Sequence, residues 1–511
     1  MSELTSNGPY EYEPVIGLEV HVQLKTASKM FCSSKNAEAD QPARHASQLA
    51  GVAGRPNVHI CEVCTGHPGT LPVINMEAVK KSVMVGLALN CEIAEYSKFD
   101  RKNYFYPDLP KGYQISQFDH PINGKGVMEL LVNGEIRKIG ITRAHLEEDA
   151  GKLVHAQGYS LVDYNRSGTP LLEIVSDPDI RTAEEARQYL QELQNIMRYL
   201  GVSDADMEKG HLRCDANISL RKKGETGFPP YKVEVKNMNS FKAVASAIDF
   251  EIKRQAQVLD EGKIPVKETR GWVDDKGITV SQRSKEESQD YRYFPEPDLP
   301  VLQFTKDWLE GLRRELPELP KVRKQRFIEE FKLTEKDAQT LVSYKELAEY
   351  FEHVMSELAE WFAAEKQIDD AKNGQAVANW ILGPFLAVIN EKGIRPRDSR
   401  VTEENFAELI KLIRQGKVSN LAAKDVFAEM FATGEDPSNI LDQLGLHQVS
   451  DEGAILDAIK KVIAANPKGV EDAKTKGEKS FGFLVGQTMK ELKGKGNPQV
   501  INELLKKELN K

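Results

Sequence analysis

Glu19 and His21 stand two residues apart in Val15-Ile16-Gly17-Leu18-Glu19-Val20-His21, where apolar and polar residues alternate. On an extended strand such residues project from one face, roughly 7 Å apart at the backbone. A carboxylate and an imidazole placed so suit a divalent cation or an acid/base pair. The bland alternative is the exposed polar face of a half-buried strand. Glu147-Glu148-Asp149 places three acids in succession after the second strand of a hairpin. They repel one another unless solvent or a cation compensates them, so this loop is either a source of Mg²⁺ ligands or a solvated turn. Glu173 is more telling, because Pro170-Leu171-Leu172-Glu173-Ile174-Val175 is otherwise apolar. A carboxylate buried there is costly unless it faces a cation, a basic side chain or a cavity.

Cys61-x-x-Cys64, with Cys32 upstream, offers three ligands of a structural zinc site. Ser33, Ser34, His45, His59 and His67 are candidates for a fourth, and three unbound thiols are the alternative. Two stretches interleave aromatic and basic residues: Arg101-Lys102-Asn103-Tyr104-Phe105-Tyr106, with Lys111 and Tyr113 beyond, and Tyr291-Arg292-Tyr293-Phe294. Such surfaces stack bases and contact phosphates, although Phe105 and Phe294 read as core. The last 44 residues carry ten Lys against six Asp or Glu, a net of +4 in a chain of net charge −9. Lys474, Lys476 and Lys479 precede Phe481-Gly482-Phe483-Leu484-Val485-Gly486, and Lys490, Lys493 and Lys495 follow it. This suits a phosphate backbone or an ordinary solvated helix face. The chain contains neither Gly-x4-Gly-Lys-Ser/Thr nor Gly-x-Gly-x-x-Gly, so nucleotide must be held by metal and basic side chains, if at all.

These residues need a scaffold. A chain of 511 residues exceeds one hydrophobic core. Period-two alternation dominates as far as Pro300. Val15–Leu24 and Leu212–Arg221 read as strands, and Val127–Val132 and Glu135–Ile141 as a hairpin about Asn133-Gly134. Ala183–Leu200 reads as a helix capped by Thr182 with Glu185 at its third position. After Pro300 the period becomes 3.6, with helices starting at Thr402, Ser419, Ser450 and Asn497-Pro498. The expected class is α+β: a mainly antiparallel sheet with helices over 1–300, a helical domain over 301–405, and a helical tail over 406–511. The boundary near 405 follows from Lys392-Gly393-Ile394-Arg395-Pro396-Arg397, which reads as a linker. No apolar run approaches the roughly 20 residues that span a bilayer, and the N-terminus shows no leader pattern. With five cysteines, an odd number, a cytoplasmic protein is expected.

Taken together the motifs resemble the B subunit of tRNA-dependent amidotransferases. The likeness is carried by Val15–His21, by Lys98-Phe99-Asp100-Arg101-Lys102-Asn103-Tyr104-Phe105-Tyr106-Pro107-Asp108 and by His145-Leu146-Glu147-Glu148-Asp149-Ala150-Gly151-Lys152. It continues through Gly168–Ser176, Leu212–Ser219, Asp290–Asp298 and Phe483–Lys490. The resemblance implies a cradle-shaped N-terminal domain that uses ATP and Mg²⁺ to phosphorylate the side-chain carboxylate of Glu on tRNA(Gln), Asp on tRNA(Asn), or both. It implies a ligase forming a carbon–nitrogen bond with glutamine as amide donor. An amidase (A) subunit would release the ammonia and a small C subunit would complete a heterotrimer. The family's metal ligands map onto Glu19, His21, Glu148 and Glu173; Glu148, Glu173 and Lys102 are the expected catalytic groups, and Lys474, Lys476, Lys479, Lys490 and Lys493 of the basic tail the expected tRNA contacts. Many relatives show Cys-x-Cys where this chain has Cys32-Ser33-Ser34, which leaves a fourth zinc ligand unassigned. The rival classes are a non-catalytic RNA-binding scaffold and a two-metal phosphodiesterase.

Overall fold

The computed structural model describes residues 11–36, 55–132, 134–284, 290–365, 370–447, 452–476, 478–492 and 496–509. The chain divides into two compact units, Met1–Leu319 and Pro320–Lys511. It is α+β, with the sheet confined to the first unit.

The first unit carries the strands β1 (Tyr12–Gln23), β2 (Tyr96–Ser97), β3 (Asp100–Asn103), β4 (Tyr113–Ser116) and β5 (Gly126–Val132). After them come β6 (Glu135–Glu148), β7 (Lys152–Ala156), β8 (Tyr159–Asp163), β9 (Pro170–Ser176) and β10 (Leu212–Lys222). The last are β11 (Val233–Lys236), β12 (Glu268–Val273), β13 (Ile278–Ser284), β14 (Phe294–Pro295) and β15 (Leu302–Gln303). Its helices are α1 (Met76–Ala88), α2 (Ala183–Leu200), α3 (Phe241–Asp260) and α4 (Lys306–Glu315). Eight strands form one sheet in the order β13-β12-β11-β10-β1-β9-β6-β5. Every neighbouring pair is antiparallel except β11 and β12.

The period of two sorts each strand. Ile16, Leu18, Val20 and Val22 of β1, Leu172 and Ile174 of β9, and Ala216 and Ile218 of β10 are fully buried. They share one core with Leu190, Leu193 and Met197 of α2 and Val244, Ala247 and Ile248 of α3. The intervening residues, Glu19, His21, Glu173, Arg213 and Asp215, are thereby left on the opposite face of the sheet. Helix α2 forms where its caps dictate: the Thr182 side chain accepts from Glu185 N, Glu185 reaches back to Arg181 N, and Gly201 closes the helix in the left-handed region at φ 67°.

Two expectations change. Strand β6 does not stop at Ile141 but runs to Glu148, so Glu147 and Glu148 lie within a strand rather than in a loop. The first unit also extends past Pro300, because Leu312 of α4 and the half-buried Trp308 and Leu309 pack into its core.

The second unit is helical throughout its described residues. It comprises α5 (Pro320–Phe331), α6 (Glu335–Val342), α7 (Lys345–Glu365), α8 (Asp370–Trp380), α9 (Leu386–Lys392) and α10 (Glu403–Arg414). To these it adds α11 (Asn420–Thr433), α12 (Pro437–Leu444), α13 (Glu452–Ala465), α14 (Pro467–Lys476), α15 (Glu478–Glu491) and α16 (Pro498–Leu509). Thr402 caps α10 and Ser419 caps α11, as the sequence reading requires; Ser450 lies outside the described residues. The supposed linker at 392–397 does not separate two cores. Phe406 stacks edge-on against Tyr350, Phe385 and Phe427, so one core runs from Phe327 to Leu441. A smaller one, built on Ile455, Ile459, Leu484, Ile501 and Leu505, belongs to the last helices. Among the described residues no helix is long and apolar enough to cross a membrane.

Candidate functional site

Register brings the chemistry together. His21 of β1 lies directly opposite Glu173 of β9, and Glu173 lies directly opposite His145 of β6. All three therefore sit side by side on the polar face, and Glu147, two residues after His145, joins them. His21 Nε2 is 3.3 Å from Glu173 Oε2 and 4.0 Å from Glu147 Oε1. His145 Nε2 is 3.5 Å from Glu173 Oε2 and 3.7 Å from Glu147 Oε2, while its Nδ1 is buried without a hydrogen-bond partner.

Two buried carboxylates this close repel, so cations must hold them ionised. Burial works against the charge on Glu173, but His145 and His21, with Lys102 behind them, hold its pKa below the carboxylate range. Burial opposes Glu147 likewise, and His145 and Lys102 outweigh both burial and the Glu173 charge to lower it. Burial also opposes a charged His21, yet Glu173, then Glu147, raises its pKa above the ordinary imidazole value. Lys102 reaches the same carboxylates from β3. Despite burial, Glu147, with Tyr293 and Glu173, raises its pKa, and the ammonium lies 5.2 Å from the centre of the Tyr291 ring. Beside this group, Asp149 accepts from Gln23 Nε2 at 2.8 Å and from Arg213 at 2.7 Å.

The donor set fits a small divalent cation. Ligand atoms of His21, Glu147 and Glu173 all lie within 4.8 Å of one another. Metal–oxygen bonds of about 2.1 Å give octahedral ligand spacings of about 3.0 Å along an edge and 4.2 Å across. The 3.3 and 4.0 Å separations approximate these two values.

His21, Glu173 and Lys102 thus converge, and Glu19 shares their face, held by Asn217 Nδ2 at 2.8 Å. Glu148 does not join them. Strand alternation turns its side chain away from Glu147's, where it accepts from Lys111 Nζ and, at 2.9 Å, from Ile115 N. Glu147 takes its place in the group. Sequence reasoning singled out neither His145 nor Glu147 alone; the signal was present in His145-x-Glu147, which repeats the alternation of Glu19-x-His21 once β6 is extended.

The cysteines also converge. Cys61 Sγ lies 3.9 Å from Cys64 Sγ, close to the sulfur–sulfur edge of about 3.8 Å in a tetrahedral zinc site with 2.3 Å bonds. Cys32 belongs to the same group. Ser34 Oγ is 3.9 Å from Cys64 Sγ, and the buried Lys29 Nζ donates to that sulfur at 3.6 Å. The Cys32 hydrogen bond, helped by Cys61 N and Lys29, lowers the Cys64 pKa against burial. His45 lies outside the described residues, as do Lys493 and the side chains of Lys474, Lys476 and Lys479. Lys490 is exposed on α15. Phe105, expected in the core, is 82% exposed, and Phe294 is 44% exposed.

Comparison with known proteins adds a separate line of argument. Residues 14–310 match the GatB/GatE catalytic domain and residues 362–509 the GatB domain. The B subunit of the aspartyl/glutamyl-tRNA(Asn/Gln) amidotransferase of Dehalococcoides mccartyi is 52% identical over 98% of this chain and 99% of that protein. Its counterpart in Carboxydothermus hydrogenoformans is 50% identical over 98% and 99%. That of Caldicellulosiruptor saccharolyticus is 49% identical over 98% and 100%.

Proposed function

This chain belongs to the family of aspartyl/glutamyl-tRNA(Asn/Gln) amidotransferase B subunits, and we propose that it is the subunit that activates the carboxylate to be amidated. The observation that carries the reading is the His21–Glu147–Glu173 group with Lys102 beside it. A carboxylate resists ammonia because its leaving group would be oxide. Phosphorylation removes that obstacle: a side-chain oxygen of the tRNA-bound Glu or Asp attacks the terminal phosphorus of ATP, and the bond to ADP breaks. Ammonia then attacks the acyl carbon, phosphate leaves, and a proton from the amine is lost to solvent or base. An amidase (A) subunit supplies the ammonia from glutamine, and a small C subunit completes the complex.

Phosphoryl transfer needs positioning and charge neutralisation more than covalent help. When bound by His21, Glu147 and Glu173, Mg²⁺ supplies positive charge against the phosphate oxygens. The protein contributes the rest. The charges of Glu147 and Glu173 hold Lys102 ionised despite its burial, so it can orient the anionic substrate carboxylate without titrating near neutrality. Asp149 fixes Arg213 on the same face, a second cation aimed beside the group. Glu19 is reserved by Asn217 and borders the cluster. Cys32, Cys61 and Cys64 would bind zinc as a structural clamp. The exposed Lys490 and its neighbouring lysines would meet the tRNA backbone.

The test is ATP turnover by the assembled complex with Glu-tRNA(Gln) and with Asp-tRNA(Asn), trapping the activated acyl group with hydroxylamine. Hydroxamate formed only with ATP and misacylated tRNA is the expected result. A complex that makes amide without ATP consumption would overturn it.

A further inference from the structure

Three sulfurs meet against the loop that leads into β9. Cys61 Sγ lies 3.9 Å from Cys64 Sγ, and Cys61 N donates to the same sulfur at 3.2 Å. Cys32 completes the cluster, which among the described residues includes no fourth His, Cys or carboxylate. A tetrahedral zinc site built on three sulfurs keeps one position open. Cys32 and Cys61 are half-buried. Cys64 lines a cavity of about 120 Å³ together with Cys32, His67, Lys111 and Glu148, room for a molecule little larger than water. A small oxidant can therefore reach the pair.

The cluster is tied to the acid–histidine group through one loop. Lys29, fully buried, donates to Cys64 Sγ at 3.6 Å and to Tyr164 O at 3.1 Å. Ser167 Oγ donates to Cys64 O at 3.3 Å, and Met30 N to Gly168 O at 2.7 Å. The same loop exchanges hydrogen bonds with Asp149, through Gly168 N at 2.9 Å and Thr169 O at 2.8 Å, and runs directly into the strand of Glu173.

We propose that Cys61 and Cys64 form a peroxide-sensitive switch, whose disulfide slackens residues 164–169 and with them the hold on Asp149 and Glu173. One sulfur attacks hydrogen peroxide, hydroxide leaves, and a sulfenic acid forms; the second sulfur then displaces its hydroxyl. Two thiols and one peroxide give one disulfide and two waters, with two electrons passing from sulfur to oxygen. A disulfide sulfur is a poor acceptor and no metal ligand. The buried Lys29 amine thus loses one of its two hydrogen bonds, and the cluster no longer holds zinc. Cys91 and Cys214, buried in the apolar core, take no part.

The experiment treats the full-length chain with hydrogen peroxide, quenches it with catalase, unfolds it and alkylates the remaining thiols. Before alkylation the chain should be lighter by about 2 Da, the loss of two hydrogens. Cys61 and Cys64 should then escape the label, while Cys32, Cys91 and Cys214 take it. In the folded chain, amide exchange over residues 164–169 should quicken roughly tenfold, the scale of one lost buried hydrogen bond, and a thiol reductant should reverse both changes. In the assembled complex, hydroxamate formation should fall several-fold after peroxide and recover with the reductant. In Cys61→Ser the ratio of treated to untreated activity should stay level. Persistent labelling of Cys61 and Cys64, a bond through Cys32, or a disulfide that leaves exchange and activity unchanged would each overturn the switch. So would a loss that the reductant does not restore, the mark of deeper oxidation. An untreated complex that makes no hydroxamate fails the activation reading alone, because labelling and exchange still decide the switch.

Discussion

Glu147 and Glu148 are adjacent in sequence and opposite in role, so their separate removal tests the site most directly. Glu147→Gln keeps the shape of the side chain and deletes its charge. That charge lies 4.0 Å from His21 Nε2 and 3.7 Å from His145 Nε2. A unit pair about 4 Å apart in an effective dielectric of about 20 interacts by about 4 kcal/mol. At about 1.4 kcal/mol per decade this is close to a thousandfold in rate, provided the carboxylate acts in the transition state. Glu148→Gln instead breaks a buried pair with Lys111, which costs about 3–5 kcal/mol of stability. The assay measures hydroxamate formed with ATP and misacylated tRNA at a temperature where circular dichroism shows both variants folded. Glu147→Gln should lose about three decades of rate at that temperature, where it is still folded, although its unfolding temperature also falls because buried cations lose a partner. Glu148→Gln should unfold several degrees earlier while retaining most of its activity. An active Glu147→Gln beside a folded but inactive Glu148→Gln would refute the placement of the two side chains.

Zinc comes next: the purified chain should carry about one equivalent through Cys32, Cys61 and Cys64, and elemental analysis finding none after gentle purification rejects the site. Removing residues from 448 onward leaves the core that ends at Leu441 whole; the KM for aminoacyl-tRNA should rise while glutamine hydrolysis by the amidase partner stays level, and unchanged tRNA affinity would give these helices another task. Glu408 gives a pH signature: burial, then Asp436, pushes its pKa up to about 7 despite the Ser438 hydrogen bond. The folded state therefore binds this proton more tightly than the unfolded chain, so the stabilisation is complete below the unfolded carboxyl pKa of about 4.3 and is lost as pH rises toward 7. Unfolding midpoints at pH 5 and pH 8 should differ less in Glu408→Gln than in the unsubstituted chain, and parallel profiles would contradict the shift.

Local rules made much of this chain legible in its sequence. Alternation in Val15–His21 and Leu212–Arg221 requires strands with one apolar face, and the capping residues Thr182, Thr402 and Ser419 begin helices where expected. Glu173 stood out because an acid inside an apolar strand needs a partner. The partner was another matter. Which side chains share a face follows from period two, but which strands are neighbours depends on pairing across long separations. The meeting of His21, Glu173 and His145 required β1, β9 and β6 to lie side by side in one register. A one-residue slip of β6 would have put Glu148 there in place of Glu147. The sequence likewise marked Lys392–Arg397 as a break, because Gly and Pro end helices locally. Whether a break divides two domains depends on what packs across it, and Phe406 against Tyr350 and Phe385 joins the flanking helices in one core.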